Sequence, residues 1–253
     1  MRHVPRPALP QQVASYLKSK RAVVAQRRQA QSLDIEALWK QSRQTKKVKR
    51  ALELLQQAMG PRQRCMYCLD SHGTDIEHFW PKTPYPRLAF YWHNWLLCCT
   101  ECGRIKGNDF PLENGKPLLV NPMREDPWRF IDFDPATGNL MARYDTLAGD
   151  WSHKGLQTVE TLHLDAREAL AAGYRRTFRK LAAIVTEALD NLPLTAEELL
   201  DRLRDEDEHG LLAWCLSASG SQVKPFSDLS QRAPELWDAC LDTFEKRTTC
   251  LRS

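Results

Sequence analysis

No run of 18 apolar residues occurs in this 253-residue chain, so the sequence offers no membrane-spanning helix. The basic residues of positions 1–10 are not followed by the apolar segment that a secretory leader needs. The expectation is therefore a cytoplasmic protein with no membrane partner. No long Gly/Ser/Pro linker, internal repeat or low-complexity tract interrupts the chain, so its flanking segments are expected to pack together rather than stand as independent domains. Acidic residues are scarce at the start. Residues 1–64 hold 15 Lys and Arg against Asp34, Glu36 and Glu53, whereas the remainder holds 21 against 29 Asp and Glu. This asymmetry predicts one basic surface facing a polyanion or an acidic protein. A solvated helix face explains the same run equally well, so charge alone does not decide.

Disulfides are not expected in a reducing compartment, and the eight cysteines are not arranged like a disulfide framework. Five lie between Cys65 and Cys102. Cys215, Cys240 and Cys250 are scattered and read as small hydrophobes on helices. Cys65-Met-Tyr-Cys68 and Cys99-Thr-Glu-Cys102 are two CxxC pairs with 30 residues between Cys68 and Cys99. A tight turn brings positions i and i+3 onto one ion, and four thiolates suit tetrahedral zinc at a closed, structural site. Cys98 can replace Cys99 as a thiol, but only Cys99 stands two residues from Cys102.

The chain divides by pattern into a basic helical region over 1–60, a Cys- and aromatic-rich module over 61–122, and a mostly helical region over 123–253. In the first, Val13, Leu17 and Val24 mark one helix to about Gln31. Asp34 caps a second, running from Leu38 and Trp39 through Val48 to Leu55 and ended by Gly60-Pro61. Lys46, Lys47, Lys49 and Arg50 crowd that second helix. Residues 123–153 read as irregular or β, with a hairpin from 128–133 to 140–144 turning at 135–139. Helical spacing returns from Asp165 to Leu192. Thr195 with Glu198 forms a capping box, Asp205–Glu208 reads as a solvated helix end, and a last helix spans about Ala233 to Leu251.

Between the cysteine pairs lies Asp75-Ile-Glu77-His78-Phe-Trp-Pro-Lys82. A carboxylate beside an imidazole at a strand end suits metal-assisted phosphodiester hydrolysis: the carboxylate holds a divalent ion while neutral histidine deprotonates water. A Glu-His dipeptide alone is a weak signal, and its place between two metal half-sites is what raises it. Phe79, Trp80, Tyr85, Phe90, Tyr91, Trp92 and Trp95 can stack on bases, but a small module needs apolar volume and core is the favoured reading. Lys82, Arg87, Arg104 and Lys106 are candidate phosphate contacts, as are Lys46, Lys47, Lys49 and Arg50.

This segment resembles the HNH endonucleases of ββα-metal type with an accessory zinc site. The resemblance covers about residues 62–122 and implies that His78 is the general base, Glu77 a metal-binding carboxylate and Asn94 the central asparagine that braces the loop. A narrower likeness is to the PtuB proteins of Septu-type and retron-linked anti-phage systems. It rests on Ile76–Lys82, Trp92–Asn94, Phe110-Pro111, Leu118–Pro122, Asp126-Pro127 and Thr158–Arg167. It implies a partner ATPase of ABC-like fold, PtuA-like, and a defence role. One position departs from the pattern. The family carries asparagine or histidine directly after the second CxxC, and here stands Gly103. Asn108 or Asp109 can supply the missing oxygen if they continue the helix face, and His93 and Asp75 are further candidates. Otherwise the site binds metal weakly, has lost catalysis, or uses Gly103 only to relieve crowding beside zinc.

The expected protein is thus α+β and mainly helical, with a ββα module between helical flanks. It carries structural Zn²⁺ and a catalytic Mg²⁺ or Mn²⁺, and cuts nucleic acid, DNA ahead of RNA. The alternative is a catalytically impaired zinc module that binds nucleic acid or the partner ATPase.

Overall fold

The computed structural model describes residues 1–191 and 193–250, which form two compact units: 4–125, and 1–3 together with 126–191 and 193–250. The chain is α+β and mainly helical, with four two-stranded antiparallel sheets among the described residues. No helix among them is long and apolar enough to cross a membrane.

Unit 4–125 opens with α1 (Gln11–Gln29), α2 (Ile35–Ser42) and α3 (Lys46–Ala58). Val13, Leu17 and Val24 give α1 its buried stripe, and α1 packs on α3, which buries Val48, Ala51 and Leu55. Asp34 caps α2 by accepting from Ala37 N at 2.9 Å. The expected single helix from Asp34 to Gly60 is corrected to two. Thr45 Oγ1 donates to Ser42 O at 2.7 Å and accepts from Val48 N, ending one helix and starting the next. The module follows: β1 (Asp75–His78), β2 (Trp95–Cys98) and α4 (Thr100–Lys106), then a small hairpin of β3 (Leu112–Glu113) and β4 (Lys116–Pro117). β1 and β2 pair antiparallel with His78 opposite Trp95 and Asp75 opposite Cys98.

In the other unit, β5 (Ile131–Phe133) and β6 (Leu140–Ala142) form the expected hairpin. Its turn is held by Asp134, which accepts from Ala136 N and Thr137 Oγ1, and by Gly138 at φ +85°. β7 (Tyr144–Asp145) and β8 (Asp150–Trp151) add a second hairpin. The helix α5 (His153–Leu162) then begins where the sequence reads as irregular, because Ser152 accepts from Gly155 N and caps it. Next come α6 (Glu168–Asp190), α7 (Ala196–Glu206), α8 (Leu212–Ser217), α9 (Phe226–Arg232) and α10 (Pro234–Cys250). Thr195 and Glu198 form both halves of the capping box. The core gathers around Phe133, with Trp214 at 5.1 Å and Phe178 at 5.8 Å. Cys215 and Cys240 are buried as small hydrophobes, while the Cys250 side chain and Leu251 lie outside the described residues.

The acidic patch is not simply solvated. Asp207 accepts from Leu211 N and Leu212 N, and burial raises its pKa despite those bonds. Gly155 leaves no room for a side chain: an added Cβ would lie 1.9 Å from Phe130 O. Gly155→Ala is therefore expected to lower stability by about 1–3 kcal/mol, and a melting curve identical to wild type would refute that packing.

Candidate metal centre and active-site cavity

The first cysteine pair sits on a turn tied to the module's sheet. Cys65 N donates to Ser71 O, Met66 N to Leu97 O, and Leu69 adopts φ +53°. The second pair opens α4, where Cys99 is the N-cap and its Sγ accepts from Cys102 N at 3.4 Å. All four side chains are buried, and the four sulfurs lie within 4.8 Å of one another. A tetrahedral ion with bonds of about 2.3 Å needs sulfurs about 3.8 Å apart. Cys68 Sγ and Cys99 Sγ are 3.9 Å apart, so the donor set fits an ion such as zinc. Cys99 rather than Cys98 completes the set of four. Cys98 is equally buried, 4.0 Å from Cys65 Sγ, with its thiol donating to Cys99 O.

β1 carries Glu77 and His78 to the edge of a cavity of about 670 Å³ that is walled by α2, β1 and α4. His78 is 4 % exposed. Its Nε2–H donates to Ala89 O at 2.9 Å, an acceptor shared with Trp95 Nε1, and Trp39 of α2 meets the ring edge-on at 4.5 Å. With Nε2 protonated by that bond, Nδ1 is the ring's basic nitrogen. Burial pushes the pKa of His78 down to about 3, aided by the charges of Lys82 and Lys106 and opposed by the Ala89 bond. Asn94 is buried behind it. Its Oδ1 accepts from Trp80 N, and its Nδ2 donates to Trp80 O and Leu88 O, which ties together the loop between β1 and β2. Phe79, Phe90, Trp92 and Trp95 are core, whereas Tyr91 is 40 % exposed.

Glu77 faces two neighbours that the sequence did not connect to it. Lys106 Nζ lies 2.9 Å from Oε1 and also donates to His78 O. Burial raises the pKa of Glu77, and Lys106 counteracts the rise. A side-chain carbon at position 103 would lie 3.6 Å from Glu77 Oε2 and 3.8 Å from Cys98 Sγ. Both are ordinary contacts, so relief of crowding does not explain the glycine.

The candidate phosphate contacts fall in different places. Lys106 is not a surface cation, since it is 1 % exposed and belongs to Glu77. Lys82 lines the cavity and pairs with Glu36 at 3.1 Å, and Arg104 lines it from the exposed side of α4. Arg87 is exposed outside the lining. Lys46, Lys49 and Arg50 are exposed on α3, with Arg50 paired to Glu53, while Lys47 is half-buried against Gln12.

The substitutes for a residue at 103 are dispersed as well. α4 stops at Lys106 and Gly107 turns the chain at φ +47°, so Asn108 and Asp109 do not continue the helix face. Asn108 still lines the cavity and Asp109 does not. Asp75 is paired with Arg43, and His93 lies outside the lining. Glu77 Oε2 is then the one uncommitted carboxylate oxygen described at this position, next to an ammonium on the same carboxylate. Hard divalent ions require several oxygen ligands, and the residues present do not fit a resident divalent ion at Glu77.

Trp39, Arg43 and Glu36 were not recognisable as site residues. They come from α2 and its C-cap, more than thirty residues before β1, and no local pattern marks a helix that will close over a distant strand.

No family profile matches the chain. Over 112 residues it is 32% identical to a curated protein of Bacillus thuringiensis, Septu protein PtuB. The match covers 42% of this chain and spans 38% of the relative's length.

Proposed function

We propose, with that likeness to Septu protein PtuB as the premise, that the chain is an HNH-type nuclease component of an anti-phage system. In this reading a structural zinc ion on Cys65, Cys68, Cys99 and Cys102 fastens the start of α4 against the turn before β1. His78 is the general base and Asn94 positions the loop around it. The observation that carries the reading is the placement of the His78 imidazole at the edge of a cavity with Lys82 and Arg104 in its lining. A neutral ring can take a proton from water, and its bond to Ala89 O fixes which nitrogen does so. The cations are suited to holding a phosphodiester backbone without reading its sequence. A PtuA-like ATPase of ABC type is the proposed partner, and the exposed basic face of α3 is proposed to meet nucleic acid, DNA ahead of RNA.

The test is cleavage of DNA and RNA, with and without added Mg²⁺ or Mn²⁺, by wild type and by His78→Gln checked for intact melting. A loss of about 10²–10⁴-fold is expected for the variant, the usual contribution of a general base. Equal cleavage by the two proteins would remove His78 from the role. A second reading is motivated by Gly103: a zinc module that binds nucleic acid or its partner and does not cut. Retained binding with no cleavage under any metal condition would select it.

A further inference from the structure

The three carboxylates that line the cavity are each matched by a cation of this chain. Glu36 is paired with Lys82, Asp75 with Arg43, and Glu77 with the buried Lys106. Two further cations line it, Lys40 and Arg104, and neither enters an ion pair among the described residues. Among the Lys, Arg, Asp and Glu side chains of the walls, the cysteine site apart, the balance is therefore positive. A metal-binding carboxylate site would show the opposite: several oxygens converging with their charge uncompensated. Here the position that could add a ligand is Gly103, and the space beside Glu77 Oε2 is left open.

We propose that this cavity binds a phosphate diester directly, with no resident divalent cation, and that Lys106 is the positioning residue that makes this possible. The proposal rests on the nuclease reading for the identity of the ligand but not on cleavage. Lys106 is too deeply buried to touch a ligand in the cavity. Its ammonium cancels the charge of Glu77 from behind, so that an incoming phosphate does not meet a bare carboxylate. The glycine keeps the approach open, and Lys40 and Arg104 supply the charge facing the ligand. The same ammonium repels a divalent cation that would otherwise be drawn to Glu77.

Two binding measurements on the zinc-loaded full chain test this without reference to turnover. In the first, free Mn²⁺ is followed by electron paramagnetic resonance in wild type, Glu77→Gln and Gly103→Asn. Wild type and Glu77→Gln are expected to bind Mn²⁺ equally weakly, and Gly103→Asn at least tenfold more tightly, because an oxygen ligand is added beside Oε2. In the second, a short fluorescent oligonucleotide is titrated in buffer free of Mg²⁺ and Mn²⁺ and of chelator. Binding is expected without those ions and is expected to weaken at least tenfold in the Lys40→Ala, Arg104→Ala double variant. A tight Mn²⁺ site in wild type that Glu77→Gln abolishes would overturn the proposal. So would oligonucleotide binding that requires Mn²⁺. Metal-free binding through Lys40 and Arg104 with no cleavage would sink the nuclease reading and leave this one standing.

Discussion

Withdrawing the proposed ion from Cys65, Cys68, Cys99 and Cys102 is expected to unfold the ββα module rather than only silence it. Its parts are too small to stand without a tie. β1 and β2 are four residues each and form a two-stranded sheet, and α4 has seven residues. Isolated hairpins and helices of that length are marginal in water. Structural zinc in small modules contributes roughly 10–16 kcal/mol of apparent binding energy, comparable to the whole stability of a domain, roughly 5–15 kcal/mol. Hydrogen exchange resolved by segment, before and after treatment with a strong chelator under reducing conditions, should show protection lost across 75–78 and 95–106. Unchanged protection there would refute a structural ion. Single substitutions refine the point. Cys99→Ser should lose the ion and Cys98→Ala should keep it, and the reverse pattern would move the fourth ligand to Cys98.

The second large effect is acid sensitivity through His78. Its pKa is about 3 in the folded protein and about 6.5 for an ordinary histidine. Above pH 6.5 the ring is neutral whether the chain is folded or not, and the contribution to stability is fully present. Between 6.5 and 3 the unfolded chain binds a proton that the folded chain refuses, so stability falls as pH falls. One proton corresponds to about 1.4 kcal/mol per pH unit, and lowering the pH from 6.5 to 5 should remove about 2 kcal/mol. Cysteine ligands also take up protons in acid, so the measurement is the difference in denaturant stability between wild type and His78→Gln. The glutamine amide can still donate to Ala89 O and does not titrate, and the cysteine contribution cancels between the two proteins. A difference that stays flat from pH 7 to pH 5 would mean that the His78 ring is charged in the folded state.

How legible the site was varies with how local each interaction is. The four clustered cysteines could be read because i, i+3 spacing is a property of one turn. Asp34, Thr195 and Glu198 were readable as caps because a cap is closed within three residues. Lys106 was read as a candidate phosphate contact, and its pairing with Glu77 was not legible: helix position alone does not tell whether a lysine points to solvent or to a carboxylate 29 residues earlier. The continuous second helix failed at Thr45 because a hydroxyl that can cap is also one that can sit harmlessly in a helix; here it caps, bonded to Ser42 O and Val48 N.

The amino-acid sequence by itself determined the four-cysteine set that could hold a metal, the strand that bears Glu77 and His78, and the missing side chain at 103. These depend on residue identity at short spacing, where the backbone leaves few alternatives. Only the tertiary structure decided what charge the site holds. The pairing of Glu77 with Lys106, of Asp75 with Arg43 and of Glu36 with Lys82 joins segments far apart in the chain. Electrostatic sign in a cavity is the sum over whatever walls the fold brings together, and no single segment carries that sum.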